Sequence, residues 1–289
     1  MSQNSVYGQF LLGARERNIM RTTLCIILIF LSGCISRSVP KSITATKREA
    51  VTVQTIHVAA GESFAEAAQR ATPGTIIWLG SGTHVIDRVK FPVSGTVENP
   101  ITVRGVSRDS VIVTSNSQAK WVFDFSNENG GSTPDIGYFV FRDFKAINSR
   151  NVWRFRYPGQ IGAPKPHHIT IENIVATGNG SVISARGGGV AFLTVRTCNF
   201  YNSIGTEGNI DLGVNADVLN LPKSGSHDIL IEDCLFHDSH ANQQCNGIVT
   251  QGDVYNVTIR RCRAWNNGKY GFALKGNGSF VVDRCAAYG

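Results

Sequence analysis

FLTVRTCNFYNS (Phe192–Ser203), DILIEDCLFHDS (Asp228–Ser239) and NVTIRRCRAWNN (Asn256–Asn267) share one frame, and FVVDRCAAYG (Phe280–Gly289) begins a fourth copy. They align on Cys198, Cys234, Cys262 and Cys285. Two earlier stretches fit with another apolar residue at that point: YFVFRDFKAINS (Tyr138–Ser149) with Phe144, and HITIENIVATGN (His168–Asn179) with Ile174. The six key positions are spaced 30, 24, 36, 28 and 23 residues apart. Three residues before each stand Phe141, Ile171, Val195, Ile231, Ile259 and Val282, and two after stand Ala146, Ala176, Phe200, Phe236, Ala264 and Ala287. The positions between are mostly polar, as at Glu172, Arg196, Glu232 and Arg260. A period of two repeated six times is a recurring half-buried strand. A unit this short cannot bury its apolar face alone, so coils must stack and set like residue over like. The expected architecture is all-β, a parallel β-helix solenoid.

The cysteines then occupy one inward column, with rungs ~4.8 Å apart at strand spacing. A buried free cysteine behaves as a small hydrophobe, so the expectation is a stack of reduced thiols. No CxxC spacing supports zinc. Cys245 lies off this column and has no account. The composition agrees with a coil of strands: 30 glycines against 9 prolines, 42% hydrophobic and 17% charged residues over 289 positions favour many turns and little helix. The net charge of +7 suits an acidic partner: a uronic-acid polysaccharide, nucleic acid or an anionic membrane.

The first 54 residues have a different character. MRTTLCIILIFLSGC (Met20–Cys34) reads as a basic residue, an apolar run too short to span a bilayer, and small residues before a cysteine. LSGC (Leu31–Cys34) resembles a bacterial lipoprotein box. That resemblance implies cleavage before Cys34, lipidation of its thiol, and an outer-membrane location, since Ile35 and Ser36 carry no acidic retention signal. Residues 1–33 are thus expected to be a leader, with Met20 as a candidate start, and 34–54 a polar tether. Removing the leader takes away Arg15, Arg17, Arg21 and Glu16 and leaves a net charge of +5. The β-helix is expected over 55–289, and the break at DRCAAYG leads to the expectation of further coils beyond Gly289.

GESFAEAAQRATPGTIIWLGSGTH (Gly61–His84) predicts an amphipathic helix from about Ser63 to Ala71, with Phe64, Ala67 and Ala68 on one face and Pro73-Gly74 as the stop. Such a helix covers the open edge of a first coil. PGTIIWLGSGTH (Pro73–His84) and VSGTVENPITVRG (Val93–Gly105) resemble the N-terminal coils of the pectate-lyase-like superfamily and of alginate and chondroitin lyases. The resemblance spans about residues 55–289. It implies a right-handed parallel β-helix with a short N-terminal capping helix, and suggests polysaccharide lyase activity.

Each rung is expected to carry a further strand after its turn: NVWRFRY (151–157), VISARGG (182–188), NIDLGVN (209–215), NGIVTQG (246–252) and YGFALKG (270–276). With Trp153, Ile183, Ile210, Ile248 and Phe272 inward, alternation sends out two columns. One is Arg154, Ser184, Asp211, Val249 and Ala273; the other is Arg156, Arg186, Gly213, Gln251 and Lys275. Cations in a row suit a chain of carboxylated sugars, because arginine grips a carboxylate bidentately. Arg154, Arg156, Arg186, Asp211 and Gln251 are the candidate substrate-binding residues. Cleavage of such a chain requires a neutralised carboxylate, a base for the proton beside it, and departure of the 4-linked oxygen. The lyase resemblance implies a lysine or arginine base, often with calcium, and Lys275 is the candidate.

NNGKYGFALKG (Asn266–Gly276) departs from that pattern. In the calcium-dependent pectate lyases that it resembles, paired aspartates follow the asparagines and another lies within the strand. Here Lys269, Tyr270 and Ala273 stand there, so the rung lacks the acidic cluster and no metal is assigned. His237, Asp238 and His240 lie at a turn and offer an alternative acid/base or a hydrogen-bonded corner. No Asp-Asp pair or Asn-Thr-Asp triplet resembles the polygalacturonases. Export argues against nucleic acid as partner. The expected protein is a monomeric, lipid-anchored β-helix acting on acidic polysaccharide, with a non-catalytic glycan-binding or structural role as the alternative. If LSGC directs lipidation, Cys34→Ala will move the protein from the membrane to the soluble fraction on ultracentrifugation; unchanged fractionation and mass would contradict the anchor.

Overall fold

The computed structural model describes residues 53–117, 120–126, 135–155, 165–185, 189–205, 208–212, 225–239, 245–276 and 278–289. The leader and nearly all of the tether, including Cys34, lie outside them. So do Arg156, Arg186, Gly213 and His240.

Three parallel sheets wrap one core, nine, eight and six strands deep. One coil shows the pattern. Gly137–Arg142 lies in the first sheet, Lys145–Ile147 in the second and Asn151–Arg154 in the third. The chain then returns to the first sheet at His167–Glu172, directly beside Gly137–Arg142. Every pairing among the described strands is parallel, so the fold is the expected parallel β-helix.

The repeated frame, however, is two strands and not one. The residue before each key position takes a left-handed conformation: φ is 63° at Asp143, 51° at Asn173, 56° at Thr197, 54° at Asp233, 53° at Arg261 and 49° at Arg284. A single such residue bends the chain by a corner. The apolar alternation continues straight through it, because the key residue and the one two later both still face the core. Asp and Asn tolerate this geometry through local hydrogen bonds. Asn173 Nδ2 donates to Asp143 Oδ1 at 2.7 Å, one coil to the next. The second corner repeats the device at Asn148, Asn202, Asp238 and Asn266, with Gly178 in the same column. A polar seam lies just inside it. Buried Asn179 accepts from Ser149 N and Oγ (3.0 and 2.8 Å) and donates to the carbonyls of Ala146 and Thr177 (both 3.1 Å).

Inside, the early rungs are aromatic. Phe123 and Trp153 stack at 5.9 Å and Phe125 and Phe155 at 5.3 Å. The helix, Phe64–Gln69, is capped by Ser63, whose Oγ accepts from Glu66 N. It drives Phe64 against Phe91 and Phe123 and so closes the first coil, as the sequence predicts. In later rungs the column of Phe144 and Ile174 continues in thiols, while Phe200 and Phe236 keep rings in the core. Cys198, Cys234 and Cys262 are buried and free, and Cys285 is half-buried at the last rung. Cys234 Sγ accepts from Cys198 N at 3.4 Å and lies 3.1 Å from its own strand's Glu232 carbonyl. Burial pushes the Cys234 thiol well up, so it stays protonated. Cys245 is also buried, outside this column.

The outer face of the first sheet carries a charge ladder in register: Arg104, Arg142, Glu172, Arg196, Glu232, Arg260 and Asp283. Glu172 pairs with Arg142 (2.8 Å) and Arg196 (2.7 Å), and Glu232 with Arg260 (2.7 Å) and Arg261 (2.8 Å). Where like charges adjoin, Asp143 serves both, 3.4 Å from Arg104 and 2.8 Å from Arg142, and Arg104 also lies over Trp78 at 4.4 Å. Single exposed pairs give only ~0.2–1 kcal/mol. Their alternation nevertheless penalises any slip of one coil against the next.

Cys234→Asp buries an unpaired charge in the column and is expected to cost about 3–5 kcal/mol. Cys285→Asp, at the half-buried end, should cost clearly less. Thermal melts of the two variants test this, and near-equal losses would contradict the inward column.

Candidate functional site

The third sheet stacks Trp121–Asp124, Asn151–Arg154, Ser181–Ser184, Gly208–Asp211, Asn246–Thr250 and Phe272–Leu274. Trp153, Ile183, Ile210 and Ile248 are buried within the coil, as alternation requires, and Phe272 is half-buried at its end. The opposite column is not the open face that alternation predicts. Arg154, Asp211, Val249 and Ala273 are buried too, and only Ser184 is half-buried. Arg154 is therefore no free cation: its guanidinium lies over the Trp121 ring at 3.9 Å.

Trp121 gathers further positive charge. Arg88 and Arg150 approach the same ring at 5.2 and 5.7 Å. Arg88 pairs with buried Asp124 at 3.0 Å, with Lys90 4.0 Å from the same carboxylate. Burial pushes the Asp124 carboxyl up, but hydrogen bonds from Ser126 and Arg88 outweigh it and hold the group below the usual range. Lys120 meets Asp87 at 3.1 Å. Among the described residues, five cations thus stand with two carboxylates at this end of the sheet. The side chains of Arg88, Lys90 and Lys120 remain about half exposed to solvent.

At the other end Lys275 directly follows its strand and is exposed. Its backbone is fixed: Thr250 Oγ1, fully buried, accepts from Lys275 N and donates to Lys275 O, both at 2.9 Å. Gly276 then turns at φ 124°, where a Cβ would lie 2.2 Å from Gly252 O. Gln251 holds the corresponding place one rung below and is half-buried. The ends of the six-strand sheet are ~24 Å apart at strand spacing, so they would meet different residues of one polymer.

Lys269 and Tyr270 are exposed and pair with each other, the ammonium 5.6 Å from the ring centre. With Ala273 buried beside them, this rung offers no set of carboxylate oxygens for calcium. Among the described residues, no group of three His, Cys, Asp or Glu side chains is placed to hold a metal.

His237 lies in the second sheet, away from these residues. Its Nδ1 meets Asp238 Oδ2 at 2.7 Å and its Nε2 meets Asn199 Oδ1 at 2.9 Å. Its ring is stacked between Tyr201 (5.0 Å) and Trp265 (4.3 Å). Both nitrogens and both faces are engaged, which makes it a corner strut more than an acid or base.

A constellation unread in the sequence stands at the start of the first-sheet strands. His167 Nε2 meets Asp135 Oδ1 at 2.8 Å, and its Nδ1 lies 2.6 Å from His168 Nδ1. Partial burial, then the neighbouring His167, lowers the His168 pKa against the pull of Asp135. The adjacent histidines in PHHITIE (Pro166–Glu172) were the available signal.

No protein-family model matches the sequence, and no curated protein matches it. Solved structures do match. Pectate lyase Pel9A superposes with a TM-score of 0.60 at 17% identity, over 80% of this chain and 62% of that one. A rhamnogalacturonan lyase superposes with a TM-score of 0.52 at 14% identity, over 82% of this chain and 62% of that one. The chain therefore has the parallel β-helix fold of these polysaccharide lyases, as the resemblance of its N-terminal coils implies. At such identities the likeness is one of fold, and the chain spans less than two thirds of either relative.

The lowered His168 pKa has a sign. The unfolded chain takes up the proton near pH 6.5, while the folded chain does so at lower pH. Between the two the unfolded state binds more protons, so this contribution is full above about pH 6.5 and is lost as pH falls through the folded value. NMR titration should place His168 below 6.5, and His168→Asn should flatten stability across that window. A midpoint at or above 6.5 would contradict the assigned environment.

Proposed function

We propose that this chain is a polysaccharide lyase that cleaves an acidic, uronate-containing polysaccharide by β-elimination along the third sheet. The observation that carries the reading is the cationic surplus around Trp121, on the same sheet as an exposed, backbone-anchored Lys275, within a lyase-like fold. Half-exposed Arg88, Lys90 and Lys120 suit sugar carboxylates arriving from solvent. Lys275 is the proposed base, with Gln251 as a neighbouring amide donor. Arg156 and Arg186, at the corresponding sequence positions, are the proposed carboxylate partners. The amine takes the proton beside the carboxylate; that electron pair forms the new carbon–carbon double bond; and the 4-linked oxygen leaves and is reprotonated. No step is assigned to calcium. Lipid anchoring at Cys34 would hold a monomeric enzyme at the outer membrane.

The second reading is a β-helix that binds acidic glycan without cleaving it. It is favoured by one observation, the Lys269, Tyr270 and Ala273 rung, which lacks the acids of the pectate lyases that it resembles. Absorbance near 235 nm from the unsaturated uronate product separates the two on pectate, alginate and glycosaminoglycans. The lyase reading expects a rise on at least one polymer and its loss, by 100-fold or more, in Lys275→Ala, with binding largely retained. Binding without any rise would establish the second reading, and full activity in Lys275→Ala would remove Lys275 as the base.

A further inference from the structure

The first sheet carries a second built site. Tyr138, His168 and Phe192 occupy one column at the start of successive strands, with φ of 61°, 50° and 52°. Bulky side chains seldom adopt this left-handed geometry, and it persists only where surroundings enforce it. Here three things do. The rings stack on one another, Tyr138 on His168 at 4.6 Å and His168 on Phe192 at 4.4 Å, both within 17° of parallel. Asp135 and His167 fix the His168 ring from behind. Gly137 leaves room for His167, since a Cβ there would lie 2.3 Å from its ring. On the next two rungs the column turns polar, at Asp228 and Asn256, which are hydrogen-bonded together.

Beside this column runs a groove of about 340 Å³. Its floor includes Thr170 and Thr194, which alternate with buried Ile169, Ile171, Leu193 and Val195. His168 and Phe192 line it, with Val97 and Pro100 also contributing. Phe192 is 45% exposed, unusual for a phenylalanine in a strand. His168 meets His167 through Nδ1, which leaves Nε2 for a ligand.

Charge decides the ligand class. Among the described residues, no lysine or arginine lines the groove, and the acidic residue that does, Asp228, is held ionised first by the hydrogen bond from His227. A uronate carboxylate would face that negative charge with no lysine or arginine among the described lining residues to offset it. A sugar bearing only hydroxyls would not. Its apolar C–H surface matches an exposed ring edge, and its hydroxyls match imidazole and threonine hydroxyls. We propose that this groove binds an uncharged sugar residue of a glycan, with Phe192 against the ring carbons and His168, Thr170 and Thr194 hydrogen-bonding its hydroxyls. The site stands on its own geometry and does not depend on the lyase reading.

Calorimetry on the full chain tests it, with cellohexaose, mannohexaose and β-1,4-galactohexaose as neutral probes and hexagalacturonate as the charged one. Saturable binding of at least one neutral probe is expected. Phe192→Ala and Thr194→Arg should each weaken it at least tenfold, while hexagalacturonate binding stays unchanged in both and Thr194→Arg keeps the parent melting temperature. Thr194→Arg alters only an outer strand position, so it guards against misfolding of the first variant. Failure of all three neutral probes to bind at millimolar concentration would overturn the proposal. So would neutral binding that both variants leave intact, or hexagalacturonate displacing the neutral probe. A dimer in light scattering that Phe192→Ala dissolves would make the groove a self-association surface and also overturn it.

Discussion

Everything in this molecule depends on parallel register. Each coil must set its inward residues directly over those of the coil below, because both sides of each inner rung's backbone ladder are used by neighbours. The left-handed corner residues make this possible. They turn the chain at equivalent points in each coil, so insertions of different length between the second and third sheets and between the third and first do not disturb the stack. That is how spacings from 23 to 36 residues coexist with one continuous column from Phe144 to Cys285.

Register also turns single residues into columns, and columns into faces with different chemistry. The Arg/Glu ladder neutralises itself on the first sheet, which leaves little net charge beside the Tyr138–His168–Phe192 column. The third sheet does the reverse. There, among the described residues, the cations around Trp121 outnumber the carboxylates, and the Arg154 guanidinium lies over that ring. One solenoid thus presents a surface suited to anions and another suited to uncharged, hydroxyl-rich ligands. Neither requires a rearranged backbone.

Much of the fold was legible because burial and alternation coincide. The cysteine column, its partners at Phe141 and Ile171, and the inward Trp153, Ile183 and Ile210 all follow from period two, and the helix at Phe64 follows from its cap and its apolar face. The split of the frame into two strands was not legible. Asp143 and its equivalents bend the chain without breaking the apolar pattern, so one corner passes for one continuous strand. At the candidate site, alternation set Arg154 and Asp211 on an open outward face, and both are buried. It did not reveal that Trp121, thirty-three residues before Arg154, lies against that guanidinium. The His167–His168 pair was overlooked for a related reason. Its meaning comes from Asp135 and Phe192 on neighbouring rungs, and only the register brings these together.

The central claim is that acidic glycan lies along the third sheet, between the Trp121 cations and Lys275. A crystal structure with bound hexagalacturonate, or with the uronate oligosaccharide that binds best, tests it most directly. Carboxylate density against Arg88, Lys90 or Lys275, with sugar residues following the sheet from rung to rung, is the expected result. An oligouronate seated in the first-sheet groove, or against the His237 corner with the third sheet bare, would contradict it.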